Sequence, residues 1–363
     1  LILGQGAILS PLVAGALRGR VDTLQQWGAH GVSAVQGRLP TRPVRVNRTV
    51  PRVTPPPLAP RFSSPPTADE ITRARVFREP LVPLGDVTRD ENVALAAAVL
   101  AYRAASGIAA EAPFRRFLEA YPQSAWRASV LVNLATVVRD RGGFTDAMDL
   151  WDAAWALTKA GTTVRARAVA DLAMAEWMST AAMFGQAGLV QARGVELGAR
   201  DVRGVAGARV GQALETAAMI ADKPQLVLAS GPQALRALLA AQGRPTVEID
   251  AIPALRGYIP TSAGMTLAEL QRMATAVGLS LRAVGHDGSA TIPVPSVVHW
   301  KLGHYSAVVE RADNRYRIVD IALGGSRWLD APTLLAESSG HLLVPAASAP
   351  EFATLANAEM DAV

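Results

Sequence analysis

From Ala68 to Ala221 the apolar residues recur at helical spacing, and after Asp222-Lys223-Pro224 the pattern turns to short alternating runs. This change of period constrains the fold more than any single motif. A run with helical periodicity does not settle as a strand, so an all-helical part must precede one that mixes helices and sheet. At 363 residues the chain can build two or three domains with real cores. Half of its residues are hydrophobic but only 5% are aromatic, so Ala, Val and Leu must close most of those cores.

Read in order, the chain divides into five segments. Residues 1–38 are apolar and then helical. The uncharged run 1–17 suits export or membrane contact, with Ala14-Gly15-Ala16 resembling a signal-cleavage site. The same run equally suits a buried helix, since it is short for a membrane span and broken at Ser10-Pro11. Residues 39–67 carry Pro55-Pro56-Pro57 and Pro65-Pro66 and read as an extended linker, because proline fixes φ and removes a donor.

Residues 68–222 read as helices over Ala112–Tyr121, Ala125–Arg139, Thr145–Lys159 and Val202–Ala221. Leu134-Ala135, Val138, Gly142, Ala147, Trp151 and Ala154 fall at the spacings of a tetratricopeptide repeat, with Leu172-Ala173, Ala187 and Ala192 as a degraded second copy. This part resembles a tetratricopeptide-like solenoid, a peptide binder or a scaffold. Gly204, Gly207 and Gly211 lack the Lys-Ser/Thr of a phosphate loop and read as close helix packing.

Residues 223–347 carry the chemistry, and 348–363 read as a loosely packed tail. A helix is expected from Ser230 to about Gln242, and another over Thr266–Val277 that opens with a Thr266…Glu269 capping box. Strands are expected at Leu279–Val284, Ser296–Trp300, Tyr305–Glu310 and Arg315–Ile321, with a hairpin turn at Asp313-Asn314. His304 then begins one strand and Asp320 ends its hairpin partner, so both lie at one end of the sheet. A hydroxyl at a helix start beside such a pair is the layout of nucleophile, base and orienting carboxylate. The plainer readings are that Ser230 only caps its helix and that His304, like His299 beside Trp300, only packs.

The wording of these segments resembles the bacteriocin-processing cysteine peptidases, a papain-like family that cleaves leader peptides after Gly-Gly. Ser230-Gly231-Pro232-Gln233-Ala234-Leu235 matches the family's helix start except at the nucleophile, where the family has cysteine. His299-Trp300-Lys301-Leu302-Gly303-His304-Tyr305 matches its strand pair, and Val319-Asp320-Ile321 its third motif without the proline. The resemblance covers residues 224–346. It implies an α+β fold, a papain-like domain of helices on an antiparallel sheet, following the tetratricopeptide-like solenoid. It also implies Ser230 at the nucleophile position, His304 as base, Asp320 as its orienter and Gln225 as oxyanion donor. Gln225 lies five residues before Ser230, where the family more often has six. The implied setting is a bacterial protein, exported or membrane-associated.

Serine at a site shaped for a thiolate predicts little or no rate, because a hydroxyl is not ionised by a helix dipole and an imidazolium. Two readings follow: a cysteine peptidase in an inactivated form, processing a peptide or its own longer parent chain, or a natural pseudo-peptidase that grips a peptide without cutting it. No cofactor or metal is expected, since the chain has no cysteine and its five histidines show no ligand spacing. The net charge of +5 comes from scattered arginines without aromatic interleaving, so nucleic acid is not an expected partner.

Overall fold

The first described helices are set by threonine caps. The computed structural model describes residues 60–224, 229–259, 264–288, 291–347 and 352–363, all within the unit Pro57–Val363. The expectations for 1–38 and for most of the proline-rich 39–67 lie outside these residues. Helix α1 (Ala68–Arg73) starts at Thr67 and α2 (Arg89–Ala104) at Thr88, each closed by a capping box with Glu70 or Glu91. There follow α3 (Ala112–Ala120), α4 (Arg127–Arg141), α5 (Phe144–Thr158), α6 (Val164–Met183), α7 (Ala187–Leu197) and α8 (Gly204–Asp222).

The apolar spacing of α4 and α5 does what small residues permit. Leu134, Ala135, Val138, Ala147, Trp151 and Ala154 are all buried in one core shared with α6 and α8. The second copy is not realised in the same way. Ala192 is exposed, and Val190 and Leu197 are the residues of α7 buried in the core. A helical region is therefore what the described residues establish; a tetratricopeptide solenoid is not. Of the three glycines in α8, only Gly207 approaches its surroundings closely, where a Cβ would meet the carbonyl of Val202 at 2.3 Å.

The second part is a six-stranded antiparallel sheet with helices on it, the α+β architecture expected. Helices α9 (Ser230–Ala241), α10 (Thr246–Ala251) and α11 (Leu267–Ala276) precede β1 (Leu281–Gly285), β2 (Ser296–Trp300), β3 (His304–Ala312), β4 (Arg315–Asp320) and β5 (Gly325–Asp330). Helix α12 (Ala331–Glu337), β6 (Ser338–Pro345) and α13 (Asn357–Asp361) complete it. The strand order is β1-β6-β2-β3-β4-β5. Thr266 caps α11 through the expected box with Glu269. Asp313, with φ +52°, makes the tight turn between β3 and β4.

Alternation along the strands divides the sheet into two faces. Val297, Tyr305, Ala307 and Leu343 pack under α9 and α11. Val298, Trp300, Val308, Ile318 and Leu342 pack on the other face, together with α12 and with Phe144 and Phe184 of the helical region. Residues 352–363 pack against the sheet rather than forming a loose tail. Phe352 and Met360 are buried, one on each face, and Thr354 pairs with Val284.

The helical region is joined to the sheet by polar contacts as well. Glu337 accepts hydrogen bonds from the Thr145 N–H at 2.8 Å and from its hydroxyl at 3.0 Å, placing a carboxylate at the N-terminus of α5. Burial pushes the Glu337 carboxyl up, against the lowering effect of those same bonds. Arg141 donates to Thr333 at 2.7 Å. Between them Gly142, at φ +103°, lies where a Cβ would stand 2.7 Å from Leu329.

Gly142→Ala adds both left-handed strain and a clash, and should cost about 1–3 kcal/mol. Gly211→Ala, inside α8 with nothing within 4 Å of its Cβ position, should instead gain about 0.4–1 kcal/mol. Urea unfolding of the two variants, read as opposite shifts of midpoint at an unchanged slope, tests the contrast.

Candidate active site

The site is built at the end of the sheet where β2 returns as β3. Trp300 ends β2, and three residues reverse the chain through Gly303 at φ +67°, whose N–H bonds the Trp300 carbonyl at 2.9 Å. His304 opens β3 opposite Trp300, and Asp320 closes β4. The two side chains meet. His304 Nε2 lies 2.7 Å from Asp320 Oδ2, with both side chains almost fully buried.

Asp320 is bonded by three donors. Besides His304 it accepts from the Ser306 hydroxyl and, at 2.8 Å on its other oxygen, from the Ala322 N–H. The Ser306 oxygen is itself held by Trp300 Nε1 at 2.7 Å. Burial raises the Asp320 pKa, but the hydrogen bonds and the charge of His304 outweigh it and leave the carboxyl below its usual range. An ionised carboxylate needs a donor from the imidazole, so Nε2 carries a hydrogen, and in the neutral ring Nδ1 is then the nitrogen with the lone pair.

Ser230 is the first residue of α9, following Ala229, and its side chain does not cap the helix. The plain capping role is thus not the one its hydroxyl plays. Its Oγ accepts instead from the N–H of Tyr305, the residue after His304, at 3.3 Å. Gly231 is required by contact: a Cβ there would lie 2.9 Å from Met265 Sδ and 3.0 Å from Leu270. Pro232 sits in the first turn, where no intrahelical donor is missed, and the first-turn N–H groups at Ser230 and Gly231 mark a helix end favourable to negative charge. Gln225, expected as an oxyanion donor, lies outside the described residues.

Two cavities meet at Ser230 and Tyr305. One of about 280 Å³ runs along α9 and α10 to Val319, Asp320 and Ile321. The other, of about 260 Å³, passes His299 and His304 and is walled by Met183, Phe184 and Gly185 of the helical region and by Ala362 and Val363. His299 does not pack on Trp300, since adjacent strand residues face opposite ways. Its ring lies 4.8 Å from that of Tyr305, and its Nδ1 is 2.8 Å from Ser339 Oγ. Burial, aided by the neighbouring His341 and His304, lowers its pKa to about 4.

Sequence reasoning named Ser230, His304 and Asp320, and the fold brings all three to one place. It missed Ser306 and Phe184. Ser306 could have been found, because it stands two residues after His304 and shares its face of the strand. Phe184, more than a hundred residues away, gives no local signal.

Residues 231–349 match the Peptidase C39 family, and this part of the chain is a domain of that family. The resemblance carried by the three motifs is borne out. Among solved structures, a "double glycine motif protease from AMS/PCAT transporter in complex with the leader peptide" is similar at 15% identity, over 32% of this chain and 81% of that one, with a TM-score of 0.26. No curated protein matches the chain.

The buried neutral His299 makes a pH prediction. Its folded pKa, about 4 against an ordinary 6.5, means the unfolded chain binds more protons between those values. Stability should therefore be full above pH 6.5 and fall by roughly 3 kcal/mol on acidification to pH 4. Asp320 adds a further loss only below its ordinary value of 3.8. In His299→Gln the slope between pH 6.5 and 4 should flatten in denaturant titrations taken at stepped pH.

Proposed function

We propose that residues 223–347 form a papain-like cysteine-peptidase domain whose nucleophile position is held by Ser230, inactive or very weak as it stands. The observation that carries this reading is the buried His304–Asp320 pair beside residue 230 at a helix N-terminus. With a cysteine at 230, His304 Nδ1 takes the thiol proton and Asp320 holds the imidazole through Nε2–H. The thiolate attacks the scissile carbonyl carbon, and its oxygen takes up negative charge against the backbone N–H of residue 230, with Gln225 as the second donor. His304 then returns its proton to the leaving amine, and water releases the acyl group.

The substrate class is an extended peptide with small residues at the cut, in keeping with cavities on both sides of residue 230. Processing of a separate peptide or of a longer parent chain both fit this class. Residues 68–222 serve as a tetratricopeptide-like scaffold, with the boundary at 222/223. Export or membrane association through residues 1–17 is the proposed setting; no described helix is long and apolar enough to cross a membrane.

A second reading, a pseudo-peptidase that binds a peptide without cutting it, is favoured by Ser230 itself. A hydroxyl here receives a hydrogen bond from Tyr305 N–H and has no means of forming a stable anion.

The two are separated by peptide-library cleavage with Ser230 and Ser230→Cys forms of the full chain. The expected result is cutting by the cysteine form alone, lost on His304→Ala. Peptide binding by both forms, with cutting by neither, would replace the peptidase reading with the binding one.

A further inference from the structure

The helical region reaches the candidate catalytic histidine directly, and it does so through a rigid device. Helix α6 ends in a left-handed turn at Gly185, φ +75°. The N–H of Gly185 bonds the carbonyl of Ala182 at 3.0 Å, and that of Gln186 bonds Ala181 at 2.9 Å. This pair of bonds is a Schellman closure, which fixes the backbone on either side of the glycine. The residues it fixes are Phe184 and Gln186, and both point at the turn that delivers His304.

Phe184 sets its ring edge-to-face with the His304 imidazole, centroids 5.3 Å apart and planes at 83°. It is backed by Phe144 at 4.8 Å, which in turn stands against Trp300 at 5.6 Å. Gln186 donates from Nε2 to the carbonyl of Leu302 at 2.5 Å, in the three-residue reversal before His304. The same side-chain nitrogen lies 3.2 Å from where a Cβ on Gly303 would be. The imidazole is thus bounded by Asp320 through a hydrogen bond and by Phe184 through a ring contact. The backbone that carries it is clamped by Gln186.

We infer that Gln186 and Phe184 are positioning residues for His304, so that the helical region supplies part of the catalytic apparatus rather than a detached scaffold. This rests on His304 being the base of the proposed reaction. Asp320 fixes which nitrogen bears the hydrogen, but one hydrogen bond leaves the ring free to rock about it. The ring contact of Phe184 removes that freedom, and the Gln186 clamp keeps the Gly303 turn from drifting. Misplacement of a reacting group by about 1 Å costs on the order of a hundredfold in rate.

The test uses the full chain with Gln186→Met and Gln186→Glu, which keep the side chain's length but lose the donor, and with Phe184→Leu. Nitrogen NMR of labelled histidines, with His304 assigned through His304→Gln, reads the imidazole directly. The unsubstituted protein should show a single Nε2–H tautomer at His304. All three variants should keep that tautomer, which Asp320 fixes, but show shifted and broadened His304 ring resonances as the imidazole gains freedom to rock. In the Ser230→Cys background the same changes should lower kcat by tenfold to a hundredfold, leaving KM within about twofold. Unchanged His304 resonances in folded variants would overturn the inference, as would a fall in kcat unaccompanied by any change at His304. If Ser230→Cys never cuts, the proposed activity falls, while the spectra still decide whether the helical region positions the ring.

Discussion

A carboxylate almost cut off from water sets the terms for this molecule. Asp320 is stable as an anion at its depth only because Ser306, Ala322 and His304 all donate to it. An unpaired buried charge would be expensive. Two parts of the fold place the donors: β3 carries His304 and Ser306, and the chain leaving β4 carries Ala322. The register between β3 and β4 and the tryptophan at the end of β2 are therefore tied to one buried group. The hydrogen bond from His304 also decides the ring's neutral tautomer, with the hydrogen on Nε2.

The sheet that carries this group needs cover on both faces. On one face α9 and α11 provide it, and the start of α9 brings Ser230 to the backbone of Tyr305. On the other face α12 and Phe352 supply part of the cover, and aromatic side chains of the helical region join that core. Packing and chemistry are thus linked. Phe144 and Phe184 are core residues of the sheet by burial, yet Phe184 is also the neighbour of His304. Glu337 and Gly142 secure the same junction, one by capping α5 and the other by letting Leu329 come close.

Much of this was legible because the signals were local. Helical spacing from α2 to α8, the Thr266 capping box, the Asp313 hairpin turn and the alternation of β2, β3 and β4 all depend on residues near one another in the chain. The end of the sheet shared by His304 and Asp320 followed from the hairpin alone. Strand β6 was not legible. Ser338–Pro345 reads as the end of a domain, yet it inserts between β1 and β2. Its pairing with Leu281 to Gly285 spans more than fifty residues, and no local pattern encodes such a partner. The packing of Phe352 and Met360 on the sheet escaped for the same reason.

The sequence by itself determined the α+β class and the family of the C-terminal domain, and it singled out Ser230, His304 and Asp320 as candidates; it did not establish a tetratricopeptide solenoid. Motifs and periodicity are properties of short stretches, and those readings needed nothing more. Only the tertiary structure decided that Ser306 and Trp300 hold Asp320, that His299 faces Tyr305 and stays neutral, and that Phe184 and Gln186 reach the histidine. Those contacts arise where surfaces distant in sequence close on one another, and what selects them is shape and desolvation across the whole fold.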